Sequence, residues 1–187
     1  MNKLLIFDLD GTLVDCKALH QRAFRTATGD LVYADSEVEG LPTVKKIEYL
    51  TSLGLRVPAD AWEQKQRLTY ELLDTFVKYN DPLWEQMWRL KHHYDLAVCS
   101  NATRKFTETV LNILEIKSFM NAGIYTASES IPKPAPDMYL QCIGDRDPAT
   151  VTIFEDSPVG IEAATRTGAW VEVVKNSRHL CELLCKK

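Results

Sequence analysis

Short unbroken apolar runs alternate with longer segments of helical period along most of this chain. Lys3–Phe7, Leu96–Cys99, Gly123–Thr126, Val151–Phe154 and Trp170–Val174 have the composition of strands buried on both faces. Between and after the last four strands, apolar residues recur every three or four positions, over Thr103–Leu114, Ala135–Ile143, Ser157–Thr167 and Asn176–Leu184. Strands and helices taking turns at this spacing predict a parallel α/β sheet. Such sheets bind ligands beyond the carboxyl ends of their strands.

The interval between the first two strands breaks the rhythm. Residues 15–80 read as helical throughout, with helices predicted over Lys17–Thr28, Thr43–Leu53 and Asp60–Lys78. Turn signals at Gly29-Asp30, Gly40-Leu41-Pro42 and Pro58 separate them. Leu68, Leu72 and Phe76 place one apolar stripe along the longest. A short helix over Leu83–His92 then leads back to the sheet. The pattern predicts an α/β core made of residues 1–14 and 81–187, with a small all-helical cap domain, residues 15–80, inserted after the first strand.

Composition narrows the function. At 187 residues the chain can bury roughly 70% of its unfolded surface and needs no disulfide or metal staple. Its 45% hydrophobic and 26% charged residues exclude a disordered or fibrous chain. The net charge of −4 argues against a nucleic-acid partner, which needs a basic footprint. A local field can still favour a small anionic substrate. No apolar run approaches the ~20 residues of a membrane helix. The N-terminal apolar stretch ends at Asp8, short of the roughly 7–15 residues of a secretory core, so a cytoplasmic protein is expected. The five cysteines, Cys16, Cys99, Cys142, Cys181 and Cys185, form no CxxC pair and read as free thiols.

Four groups of polar residues lie where the predicted strands end. Asp8-Leu9-Asp10-Gly11-Thr12 follows the first strand, and side chains two apart in extended backbone share a side, so Asp8 and Asp10 can aim at one point. Such carboxylates repel unless a cation lies between them. Phe154-Glu155-Asp156-Ser157 places two more acids at a strand end, with Asp156 or Ser157 suited to cap the helix that Pro158 opens. Ser100-Asn101 sits between a strand and a helix, where donors and helix amides can meet an anion. Lys133, between Pro132 and Pro134, carries its charge on a stiffened backbone. Four carboxylates, one fixed cation and two neutral donors suit a hard, oxygen-liganded cation together with a phosphoryl group.

Asp8-Leu9-Asp10-Gly11-Thr12-Leu13-Val14-Asp15, Ser100-Asn101, Lys133-Pro134-Ala135-Pro136-Asp137 and Glu155-Asp156-Ser157-Pro158-Val159-Gly160 resemble, in order, the four motifs of the haloacid dehalogenase superfamily. The branch resembled carries a helical cap after the first motif, as in phosphoglycolate phosphatase and β-phosphoglucomutase. The resemblance implies a Rossmann-like core and a Mg²⁺-dependent phosphatase of a small phosphorylated metabolite. Asp8 would be the nucleophile that forms an aspartyl-phosphate, and Asp10 the general acid and base. Ser100, Asn101 and Lys133 would hold the phosphoryl oxygens. Asp8, Asp156 and the backbone carbonyl of Asp10, helped by Glu155, would bind Mg²⁺. His20, in the first cap helix, stands at a family-like position at the hinge or substrate pocket.

Two alternatives remain. A phosphoglucomutase-type phosphotransferase would use the same aspartyl-phosphate. Mutases of that sort often carry an Arg shortly after the Gly corresponding to Gly40, where this chain has Leu41-Pro42-Thr43. A catalytically silent binding or regulatory protein on the same fold is opposed by the intact set Asp8, Asp10, Lys133 and Asp156.

Overall fold

The computed structural model describes residues 3–29, 31–38 and 43–187. Contacts divide the chain into two compact units, Met1–Asp15 with Val77–Lys187, and Cys16–Phe76. No helix among the described residues is long and apolar enough to cross a membrane.

The first unit is built on five parallel strands, β1 (Lys3–Phe7), β2 (Tyr94–Ser100), β3 (Gly123–Thr126), β4 (Val151–Glu155) and β5 (Trp170–Val173), in the order β3-β2-β1-β4-β5. Leu5 of β1 stands opposite Leu96 on one side and Thr152 on the other. The chain runs outward from β1 to β3, then crosses back to lay β4 against the free side of β1. That reversal makes β1 and β4 the switch point of the sheet, where a crevice opens past the strand ends.

Both faces of the sheet are covered. Leu4 and Ile6 of β1, Ala97 and Cys99 of β2, and Val151 and Ile153 of β4 pack on Met138, Tyr139, Cys142 and Ile143 of α8 (Asp137–Ile143) and on Ala163 and Ala164 of α9 (Pro158–Thr165). Leu5, Phe7 and Phe154, of opposite parity, are equally buried, and the rings of Phe7 and Phe154 stack with centroids 5.0 Å apart. The remaining helices of this unit are α6 (Asp81–Leu90), α7 (Arg104–Ile113) and α10 (Ser177–Leu184). In α6, Asn80 caps the first turn by accepting from Leu83 N–H, and Leu83, Met87 and Leu90 form its buried stripe. It begins two residues before the predicted start because Asp81 and Pro82 fill its first turn. Arg89 donates to the Leu184 carbonyl at 2.7 Å, tying α6 to the end of α10.

The elements among the described residues of the second unit are helices: α1 (Lys17–Ala27), α2 (Asp35–Val38), α3 (Thr43–Ser52), α4 (Ala61–Glu71) and α5 (Leu73–Phe76). Phe24, Val38 and Leu50 form its buried cluster, with Tyr33, Ile47, Leu55 and Val57 packed around them. The helix expected over Asp60–Lys78 is two helices, with Leu72 closing α4. A one-residue break keeps the helical phase, so the apolar period runs through it unseen. Thr69 and Leu73 are buried here, each one residue on from Leu68 and Leu72, which are half-buried. The four-residue α2 is too short to leave a periodic signal. The turn signals at Asp30 and at Gly40-Leu41-Pro42 lie outside the described residues.

Candidate active site

Strand parity aims two of the predicted acids at one place. In β1, Leu4 and Ile6 face α8 and α9, and Asp8 continues that alternation just past the strand. In β4, Val151 and Ile153 face the same helices, and Glu155 continues theirs. Asp8 and Glu155 therefore emerge side by side on the α8–α9 face, and Asp8 N–H donates to the Phe154 carbonyl at 2.9 Å.

Lys133 joins them. Its ammonium donates to Asp8 Oδ1 at 2.6 Å and to Glu155 Oε1 at 2.5 Å, and its side chain is 2% exposed. Burial alone would favour the neutral amine, but the carboxylates of Asp8 and Glu155 outweigh it and hold Lys133 above the usual lysine range. Its backbone is held as firmly. Asn101 Oδ1 accepts from Lys133 N–H at 2.8 Å, and Asn101 Nδ2 donates to the Lys133 carbonyl at 3.1 Å. The side chain of Asn101, expected on the phosphoryl oxygens, thus clamps the lysine loop with its oxygen and one amide hydrogen. Ser100, the buried last residue of β2, accepts from Ala102 N–H at 3.1 Å, which leaves its hydroxyl proton for an acceptor.

The loop after β1 is folded on itself. Gly11 N–H donates to the Val14 carbonyl at 2.6 Å, and Asp10 bridges to Val14 through the backbone. Gly11 has φ +95°, and a Cβ there would run into the Asp156 carboxylate, so this turn admits glycine alone. Asp156 also lies 3.5 Å from the Thr12 hydroxyl. Ser157 caps α9 by accepting from Gly160 N–H, and Pro158 opens the helix.

Asp8, Glu155 and Asp156 each bring an oxygen within 4.8 Å of the others. Burial, with the charges of Glu155 and Asp156, pushes the Asp8 carboxyl up to about 7, although Lys133 pulls the other way. Burial, with the charges of Glu155 and Asp10, raises Asp156 to about 6. The cluster therefore holds more negative charge than Lys133 offsets, and its donors are hard oxygens. Both features suit a divalent cation such as Mg²⁺.

Two contributors are given no role by the sequence reading. Tyr139, two residues beyond Asp137, reads as an ordinary apolar position of α8, yet its hydroxyl donates to Glu155 Oε1 at 2.9 Å. Gly160 closes the motif that begins at Glu155, and a Cβ there would collide with the Glu155 carboxylate. His20 lies in the helical unit, half-buried, with Lys65 Nζ 3.5 Å from its Nδ1. Burial and the charges of Lys65 and Lys46 lower its pKa to about 4.

Comparison with known proteins places the chain among haloacid dehalogenase-like hydrolases. The family profile of haloacid dehalogenase-like hydrolases matches residues 5–174. The chain is 28% identical over 174 residues to the fructose-1-phosphate phosphatase YqaB of Escherichia coli, covering 88% of this chain and 92% of that one. It is 27% identical over 178 residues to a phosphorylated carbohydrates phosphatase of Thermotoga maritima, covering 88% and 81%. Among solved structures, a haloacid dehalogenase-like protein of Agrobacterium tumefaciens superposes with a TM-score of 0.78 at 24% identity, covering 96% of this chain and 85% of that one.

Proposed function

The chain belongs to the haloacid dehalogenase-like hydrolase family, and from that premise we propose that it is a Mg²⁺-dependent phosphatase acting on a small phosphorylated carbohydrate. The observation that carries this reading is the buried ammonium of Lys133 set against Asp8, with Asp156 within 4.8 Å of that carboxylate. An anionic nucleophile can approach an anionic phosphate only where positive charge offsets their repulsion. The substrate class rests on the names of the Escherichia coli and Thermotoga maritima relatives.

Asp8 would attack phosphorus through a carboxylate oxygen, forming an acyl phosphate as the bond to the substrate oxygen breaks. Asp10 would give its proton to that leaving oxygen. The Asp10 carboxylate would then take a proton from water, whose oxygen attacks phosphorus and frees Asp8 and inorganic phosphate. Lys133 Nζ and the Ser100 hydroxyl would hold the phosphoryl oxygens, with the remaining Asn101 amide hydrogen beside them. Asp8, Asp156 and the carbonyl of Asp10 would hold Mg²⁺, which supplies charge neutralisation when bound. The unit Cys16–Phe76 would act as the cap that selects the substrate.

The test is a panel of sugar phosphates and other phosphorylated metabolites, assayed with Mg²⁺ and after exhaustive chelation. Release of phosphate from sugar phosphates with Mg²⁺ alone is expected. Full activity without a divalent ion, or no turnover of any phosphate ester, would overturn the reading. Transfer of phosphate between positions of one sugar, without release, would point to a mutase instead. Leu41 and Pro42, which bear on that choice, lie outside the described residues.

A further inference from the structure

Tyr139 is a buried polar group that the proposed reaction does not use. It is fully buried in the first turn of α8. It meets the site twice: its hydroxyl donates to Glu155 Oε1 at 2.9 Å, and Lys133 Nζ sits 5.0 Å from its ring centroid.

Glu155 is the link. It is wholly buried, and both its oxygens are engaged. Oε1 accepts from Lys133 Nζ and from the Tyr139 hydroxyl. Oε2 accepts from Asp156 N–H and Ser157 N–H at 3.0 Å each, and from the Ser157 hydroxyl at 3.1 Å. A carboxylate offers about four lone-pair sites, so these five donors leave none for a metal. To coordinate Mg²⁺, Glu155 would have to abandon several of them. Gly160 closes off the space behind the group, since any Cβ there would overlap it. Asp156, by contrast, meets the Thr12 hydroxyl at the long distance of 3.5 Å.

We propose that Tyr139 is a positioning residue which, through Glu155, fixes the Lys133 ammonium against Asp8, and that Glu155 serves as this strut rather than as a metal ligand. A lysine ammonium has three donors on a flexible stem. Asp8 and Glu155 take two of them, so the third is held in one direction, toward the phosphoryl group in the proposed reaction. Tyr139 is fully buried in the core cluster that also holds Met138, Cys142 and Ala163, which restricts how far its hydroxyl can follow Glu155 if that carboxylate turns away. The proposal rests on the phosphatase reading.

The test uses the full chain and Tyr139→Phe, which keeps the ring over Lys133 and removes the hydroxyl. Titration calorimetry measures binding of inorganic phosphate in Mg²⁺, and separately of Mg²⁺ itself. Loss of a hydrogen bond to a charged group is expected to weaken phosphate binding and lower kcat about tenfold, while Mg²⁺ affinity stays within about twofold. Phosphate affinity equal to that of a phosphate-binding wild type would overturn the proposal, as would a matching loss of Mg²⁺ affinity. Should the variant not fold, the wild type decides alone. Side-chain ammonium NMR should show one lysine signal protected from exchange, and Mg²⁺ should leave it in place. Its disappearance on adding Mg²⁺ would mean that Glu155 leaves Lys133 for the metal. A wild type that binds no phosphate in Mg²⁺ would instead sink the phosphatase reading.

Discussion

Asn101 and Lys133, thirty-two residues apart, hold each other head to tail: the lysine N–H meets the amide oxygen at 2.8 Å, and the amide nitrogen meets the lysine carbonyl at 3.1 Å. The pair couples the end of β2 to the loop that carries the site's buried cation. Asn101→Ala would leave Nζ chemically intact but free its backbone. Since a misplacement of about 1 Å can cost as much as 10²-fold, we expect kcat to fall about 10- to 100-fold with little change in thermal midpoint. Steady-state kinetics beside a melting curve would check it, and unchanged kcat would show that the clamp is dispensable.

Asp8→Asn should abolish turnover, because an amide oxygen cannot serve as the nucleophile. Asp10→Asn should retain the nucleophile and lose acid–base help, slowing the reaction by roughly 10²–10⁴-fold. Rapid-quench measurement of phosphate release from an aryl phosphate distinguishes the two. A near-wild-type rate for Asp8→Asn would assign the attack elsewhere.

Acidity at the cluster sets a pH-dependent response to metal. The Asp8 carboxyl is raised from 3.8 to about 7, and Asp156 from 3.8 to about 6. In the metal-free fold these groups keep protons that the unfolded chain would release. Their contribution to stability therefore falls as pH rises from about 4 to about 7. Mg²⁺ needs them ionised and must displace those protons wherever the pH lies below the raised values. Thermal unfolding with and without Mg²⁺ should show a larger stabilisation at pH 8 than at pH 5. Equal stabilisation at both would contradict the assignment of these carboxyls to the metal.

Gly160→Ala sets helix propensity against packing. Alanine is favoured over glycine inside a helix by about 1 kcal/mol, but here its methyl would displace the fully buried Glu155 carboxylate. Overpacking typically costs about 1–3 kcal/mol, so a net loss of stability is expected, with a fall in activity as Glu155 shifts. Chemical denaturation would reveal it, and a gain in stability would mean that the site yields easily.

His20 gives a pH effect of opposite sign in the helical unit. Burial, with the charges of Lys65 and Lys46, lowers its pKa from 6.5 to about 4. The neutral ring is favoured in the fold, so its contribution is present above pH 6.5 and is lost as pH falls toward 4. His20→Gln should flatten the stability profile between pH 6.5 and 4 relative to wild type. Parallel slopes for the two proteins would refute this.

Much of the site could be read along the chain because its residues sit at strand ends, and strand ends are marked by the loss of apolar character. Asp8 and Glu155 each follow an apolar run whose parity already says which face they join. Lys133 stands out by its flanking prolines, and Ser157 by its place before Pro158. Tyr139 was invisible for the opposite reason. An aromatic residue in an apolar helix stripe looks the same whether its hydroxyl is satisfied by a backbone carbonyl or by a catalytic-site carboxylate. Asn101 was legible as a polar group at a strand end, but not as a clamp, because its partner is thirty-two residues away.

Periodicity and the residue types after each apolar run determined the parallel α/β class and the four clusters, since both follow from local chain geometry. Tertiary structure decided how those clusters divide the work. Folding crosses β4 back to the open side of β1, bringing Glu155 onto Lys133 and Lys133 onto Asp8. It also surrounds Glu155 with five donors from residues that include Tyr139 and Ser157. A carboxylate's role depends on which donors reach its oxygens, and those distances exist only once the chain has folded.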